Sequence, residues 1–554
     1  QNPQLYFNRG QLHAEREDWS AACEDFSQVL QWAARPGIPR GSELLVNAHL
    51  GRGMVRQRLG DWQGALADFD QALQGDPQSG LAYFHRGQVR AALGDGPGAI
   101  QDYHQALALG ATVAEADIRR DLARVHAQTG DLQAALEQLN EAVRLQPQRR
   151  DLRQERAELY RQLGRWQEAI ADYDEVLRQD PQDWTAWLGR GMAHRQMGNL
   201  ASAIQDLSRV LQQDPDHREA LWQRGQTLLQ LGQKEAALSD LDRLLQRDPH
   251  HGMARLARGS LLKELGHPAQ AESDFDQLIQ EKAQEGEQKL HLEAHLQRAQ
   301  VRRLRHNLEG AVADLDRALE LAGLGDPEAL VTAALLYRGL CHQERGDLAG
   351  ALADFTALIQ QQPQSSQGFA LRARVHLALG DKQGALADLD QALGLNRDWG
   401  VADAALTYRQ RGDLHRQANR PELAIADYTQ ALALNPQERT ALLCRALLWD
   451  RAGQTDKALA DYTQLLQLEL DPQEHVWVLN NRGWACAQQG DFSAAIRDYT
   501  QAIEIDPCHL NAHYNRALAR AASGDWQGAC QDFQAALQMQ GYQGRLLEEA
   551  SLPF

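Results

Sequence analysis

The sequence has no apolar run near the ~18 residues that a membrane-crossing helix requires, so no helical membrane insertion is expected. Its six cysteines, Cys23, Cys341, Cys444, Cys486, Cys508 and Cys530, include no C-x-x-C pair. Neither a zinc site nor a dithiol redox motif is therefore indicated, and thiols this sparse suit a reducing, cytoplasmic compartment. No N-x-[ST] sequon occurs. Lysine is nearly missing, with six residues of which Lys234 is the first, so almost all positive charge is arginine. The formal charge of −18 opposes phosphate backbones, which argues against a nucleic-acid partner. A Gly-rich phosphate loop, H-E-x-x-H, G-x-S-x-G and the kinase signatures are all missing. No enzyme activity, cofactor or metal is expected on those grounds.

What is present is repetition. At 554 residues the chain exceeds the ~250–300 at which single cores stop growing. It must hold several domains or an open array, and its 43% hydrophobic and 24% charged content is that of folded protein. One phrase recurs: Arg52-Gly53, then Gly60-Asp61-Trp62, then Ala65-Leu66-Ala67-Asp68-Phe69, then Asp76-Pro77. It returns as Arg190-Gly191, Gly198, Ala203-Ile204-Gln205-Asp206-Leu207 and Asp214-Pro215. It returns again as Arg482-Gly483, Gly490-Asp491-Phe492, Ala495-Ile496-Arg497-Asp498-Tyr499 and Asp506-Pro507. Within each unit the apolar and small residues follow helical spacing twice, with a Gly break between and Asp-Pro closing the second run. The Gly or Ala after the recurrent Arg stands at 10, 53, 87, 123, 157, 191, 225, 259, 299, 339, 373, 412, 446, 483 and 517, mostly at steps of 34.

This pattern resembles the tetratricopeptide repeat (TPR) family, whose period is 34. The resemblance covers nearly the whole chain and implies an all-α solenoid, a right-handed superhelix of about fifteen helix-turn-helix units. The first helix of each pair would line the concave face. Repeats one to eight take up residues 1–284 and repeats nine to fifteen residues 285–540, with 541–554 as a capping segment. Extra residues near 34–45, 281–287, 323–330 and 397–401 are expected to lengthen helices or loops, and the softest boundary to fall near 285. The chain starts Gln1-Asn2-Pro3, which suggests a processed chain or a piece of a longer one.

We number repeat positions with the Gly or Ala as position 8. Position 7 is Arg and position 23 is Asp in fourteen of fifteen units, and one unit, with Leu122 and Gln138, breaks both. The matched exceptions predict an ion pair inside each unit, as Arg52–Asp68, Arg190–Asp206 and Arg482–Asp498, with the two groups bridging the unit's helices bidentately. An arginine ladder for RNA is disfavoured because each Arg has its own Asp. Six histidines stand at position 11: His13, His126, His194, His342, His376 and His415. They are expected to pack like aromatic rings with one polar edge.

An open solenoid offers a groove where an enzyme offers a pocket. Family positions 2, 5, 6, 9, 12 and 13 face that groove. Apolar residues there mark a surface for a protein or peptide with an apolar segment. They include Met54 and Phe84; Leu188, Met192, Trp222, Met253 and Leu256; and Tyr337 and Leu340. The best single cluster is Trp477, Asn480, Asn481, Trp484, Tyr514 and Asn515, where Asn amides can pair with an extended backbone. Units four and five are charged instead, through Asp117, Arg120, Asp121, Arg124, Asp151, Glu155, Glu158 and Arg161. A terminal-carboxylate clamp would need Lys at positions 2 and 5, and none is there. The expected role is a protein-interaction scaffold, or alternatively a substrate-docking or sensory arm of a larger signalling protein or enzyme.

Overall fold

A computed structural model describes residues 2–33, 42–281, 288–322 and 328–543. Among them are thirty helices, from α1 (Pro3–Glu15) to α30 (Trp526–Gln543), and no strand. The sixth pair shows how the sequence makes them. Asp183 caps α11 (Trp184–Gln196), accepting from the amides of Thr185 and Ala186 at 3.0 and 3.1 Å. Gly198, at φ 79°, then turns the chain into α12 (Leu200–Gln213), and Asp214 with Pro215 ends it. Ala203, Asp206, Leu207, Val210 and Leu211 face inward at helical spacing. Burying the two leucines stabilises the pair by roughly 1.5–3 kcal/mol each.

The chain divides into two compact units between Leu265 and Gly266. The first runs from α1 to α15 (Gly252–Glu264) and the second from α16 (Pro268–Gln280) to α30. Inside each unit every helix packs on its neighbours along the chain. First helices also touch across repeats, as α1 on α3 (Glu43–Arg58) and α27 (Pro472–Gln488) on α29 (Leu510–Ala522). Three first helices are longer than the rest: α3, α17 (Gln288–Leu304) and α19 (Glu328–Arg345) have 16, 17 and 18 residues where most have 13, whereas residues 397–401 stand in a loop. Residues 282–287, around the expected boundary near 285, and the capping segment beyond Gln543 lie outside the described residues.

Thirteen position-7 arginines place Nε and Nη2 on both oxygens of the Asp sixteen residues later. Arg52–Asp68, Arg190–Asp206 and Arg482–Asp498 do so at 2.6–2.9 Å. Eleven of these arginines extend Nη1 as well, to the residue two places after the previous repeat's position 23. Arg86 reaches Asp70 at 2.7 Å, Arg224 reaches Ser208 at 3.0 Å and Arg372 reaches Thr356 at 3.2 Å. Each such guanidinium thus ties its own hairpin together and ties that hairpin to the one before. In the exceptional repeat Leu122 is fully buried, and Arg119 instead donates to Gln138 at 3.0 Å.

Candidate functional site

One candidate surface lies on the second unit. Four first helices contribute: α23 (Ala404–Gln417), α25 (Arg439–Arg451), α27 and α29. Between α23, α25, α27 and the end of α26 (Thr455–Leu465) lies a cavity of about 570 Å³. Leu443, Leu465, Leu470, Trp477 and Val478 form its floor, and Arg409, Asp413, Arg416, Arg439, Asp471 and Glu474 its polar rim. Asp413 accepts from Arg409 Nη1 at 2.9 Å and from the Tyr428 hydroxyl at 2.7 Å. Asp471 caps α27 by accepting from the Glu474 amide at 2.8 Å. Glu474 in turn takes Arg439 Nη1 at 3.3 Å.

Beyond the cavity, α27 and α29 present Trp484 and Tyr514, 45% and 46% exposed. Asn515 donates to Asn480 at 3.0 Å and so links the two helices. The Asn481 amide nitrogen is buried and has no hydrogen-bond partner. The Tyr514 ring rests edge-on against Phe533 at 5.7 Å, which leaves its other edge to solvent. Trp477, Asn480, Asn481, Trp484, Tyr514 and Asn515 therefore occupy two adjacent first helices, with Trp477 also lining the cavity.

The other groove candidates are scattered. In the first unit Met54 and Met253 are 38% and 51% exposed. Met192 is half-buried. Leu188 and Trp222 are half-buried against the core of α12 to α14 (Lys234–Arg247). Phe84 and Leu256 are corrections. They are 5% and 8% exposed, and Phe84 packs with Tyr103 and His85, so both belong to the core and offer a partner nothing. In the second unit Tyr337 and Leu340 are half-buried against core clusters, with the Arg303 guanidinium over the Tyr337 ring. The charged inner residues of repeats four and five pair with one another. Arg124 Nε meets Glu155 at 3.1 Å, Arg149 meets Asp117 at 2.7 Å and Arg120 meets Asp121 at 3.1 Å.

Two of the position-11 histidines turn both ring nitrogens toward carboxylates. His342 and His376 place Nδ1 2.8 and 2.9 Å from the helix-capping Asp347 and Asp381, with Nε2 3.9 and 3.7 Å from position 23. Arginines take this place elsewhere: Arg56, Arg90, Arg302 and Arg520 donate to the position-23 Asp at 2.8–2.9 Å. The site is polar because it stands between two carboxylates. Among the described residues no group of three metal-ligating side chains forms. None of their helices is long and apolar enough to cross a membrane.

Sequence reasoning did not single out Arg409, Arg416 and Arg439. Arg409 and Arg416 stand at positions 5 and 12 of the twelfth repeat, both inner positions. Arg439 lies one residue before position 2 of the thirteenth, and Leu470 comes from a loop that no helical position describes.

The architecture is that of a helical-hairpin repeat protein whose first helices carry the uncommitted surface. Tetratricopeptide repeat models match residues 50–114, 97–150, 155–218, 192–252, 223–286 and 409–475, and further ones match 333–365 and 476–507. The chain belongs to the tetratricopeptide repeat family. It is 34% identical over 113 residues to Tetratricopeptide repeat protein 36 of Danio rerio, a match covering 20% of this chain and 60% of that relative. With Tetratricopeptide repeat protein 36 of Homo sapiens it shares 35% over 130 residues, covering 22% and 68%. Among solved structures it is similar to YrrB, a TPR protein with an unusual peptide-binding site, at TM-score 0.29 and 24% identity, covering 31% of this chain and 89% of that one. It is also similar to Naa15/Naa10 bound to HypK-THB at TM-score 0.33 and 16% identity, covering 97% and 94%.

Proposed function

We propose that this chain is an interaction scaffold that holds a segment of a partner protein along the first helices of repeats twelve to fifteen. The observation that carries this reading is a set of half-exposed aromatics on neighbouring first helices beside an apolar-floored cavity. Trp484, Tyr514 and Trp477 supply large rigid contact area, which typically dominates binding energy. The Asn481 amide, buried without a partner, supplies a donor that a peptide carbonyl would satisfy. Nothing in the site offers an arranged nucleophile and base, so binding and not catalysis is the chemistry it supports.

The test is affinity capture with the immobilised chain, quantified against Trp484→Ala and Trp477→Ala variants. Retained proteins should fall at least several-fold for both variants while the far-ultraviolet circular dichroism keeps its helical amplitude. Equal capture by all three proteins would remove the site.

A further inference from the structure

The cavity rim holds three arginines and three carboxylates, but they are not paired one to one. Each of its three carboxylates is engaged: Asp413 by Arg409 and Tyr428, Asp471 by the start of α27, and Glu474 by Arg439. Two of its three arginines are thereby matched. Arg416 is not: among the described residues no carboxylate comes within ion-pair distance of its guanidinium, which lies near the Tyr428 hydroxyl. Its Nε is buried and has no hydrogen-bond partner, whereas the Arg409 Nε lies 3.5 Å from the Glu438 carboxylate. The buried Arg416 donor thus stands beside a floor of Leu443, Leu465, Leu470 and Trp477. A buried donor left unmade is costly, and a carboxylate is the acceptor that returns most to it.

We infer that the cavity receives an acidic side chain, with a bulky apolar residue next to it, from within an extended segment of a partner protein. This rests on the binding role proposed above and names the chemistry of its ligand. The volume lies within the range of ordinary ligand pockets, enough for a few side chains and too small for a folded surface. The apolar surface runs on from Trp477 along α27 to Trp484 and Tyr514, so the bound chain passes through the cavity and does not end in it. An internal Asp or Glu is therefore the source of the carboxylate. Arg416 would bind it through a charge-assisted hydrogen bond, and Trp477 and Leu443 would cover the apolar neighbour.

An array of random nonapeptides, acetylated and amidated at their ends, is probed with the full chain and with Arg416→Gln and Trp477→Ala. Peptides with Asp or Glu beside Leu, Ile, Met or Phe should be enriched at least threefold among those the unaltered chain retains. Arg416→Gln should still retain peptides, with the acidic enrichment gone, and Trp477→Ala should retain few. In anisotropy titrations the best acidic peptide should bind Arg416→Gln roughly tenfold more weakly. Its Glu→Gln analogue should bind both proteins alike. Retention without acidic enrichment, or enrichment that survives Arg416→Gln, overturns the inference while leaving the binding role intact. Retention only on a parallel array with free C-termini overturns it in favour of a terminal carboxylate. No retention at all by the unaltered chain overturns the binding role itself.

Discussion

Histidine 85 is where burial and charge meet most sharply. Its ring lies between Phe69, stacked at 5.8 Å, and Phe84, edge-on at 5.1 Å, and its Nδ1 has no hydrogen-bond partner. Burial disfavours the imidazolium and pushes the pKa down to about 4. A depressed pKa means that the folded state binds the proton less well than the unfolded chain, whose histidines titrate near ~6.5. The stabilisation is then complete above pH ~6.5 and is lost as pH falls through about 4. His126 and His509 are lowered by burial too, so the slope of the unaltered chain alone does not isolate the effect. A His85→Phe variant does, and it keeps the ring stack. Between pH 7 and 4 its unfolding free energy, from urea titrations, should fall by about 3 kcal/mol less than that of the unaltered chain. Parallel pH dependences would show that the ring does not titrate with folding. The Arg–Asp register at the same scale was legible, because spacing and a shared exception are visible in a string of letters. The outer bond of each arginine was hidden. Its acceptor is Asp70, Ser208, Thr356 or Asn140 by turns, so residue identity varies while hydrogen-bond chemistry stays constant. With the bond known, the sequence explains itself: His104, which breaks the acceptor pattern, precedes the repeat that has Leu122 in place of Arg.

Each element is a hairpin whose two helices approach at position 8, and the closeness of that approach differs from repeat to repeat. A Cβ added at Gly53 would stand 2.7 Å from the Phe69 ring, and one at Gly339 2.6 Å from the Phe355 ring. At Gly225 the nearest atom, Leu241 Cδ2, would be 3.6 Å away, an ordinary contact. Two effects oppose each other on replacing Gly by Ala: a gain of up to ~1 kcal/mol in helix propensity, and an overpacking cost of ~1–3 kcal/mol where the ring cannot move. Gly225→Ala should therefore raise the melting temperature by a few degrees, and Gly53→Ala and Gly339→Ala should lower it. A shift of the same sign in all three would mean that the helices part freely. The helix pairs themselves were readable, since two amphipathic runs, a Gly turn and an Asp-Pro stop agree with one another. The fate of individual groove residues was not. Phe84 and Met54 occupy inner helices alike, yet one is buried and the other exposed, because the neighbouring repeat decides which side chains it covers. The cavity was less legible still, since Leu470 enters it from a loop outside the repeat pattern.

At the scale of the molecule, stability in a stacked array is close to a sum of hairpin terms and nearest-neighbour terms. The arginines contribute to both, and the two contributions can be separated. Arg190 binds Asp206 in its own repeat and Asp174 in the repeat before. Asp206 is 4% exposed, so removing Arg190 strands a buried carboxylate, whereas Asp174 is 46% exposed and returns easily to water. Arg190→Ala should cost about 3–5 kcal/mol in urea unfolding. Asp174→Ala should cost no more than about 1 kcal/mol, as for a surface pair. Its signature lies elsewhere. With the hairpins intact and their coupling weakened, neighbouring repeats unfold less in step, so the urea transition should broaden and its slope m fall more than its midpoint. Pairing it with Asp70→Ala, which frees Arg86 in the same way, should widen the transition further. A transition as steep as that of the unaltered chain, at a lowered midpoint, would assign cooperativity to apolar contact between repeats alone. The outer arm of each arginine would then align hairpins without coupling their stability.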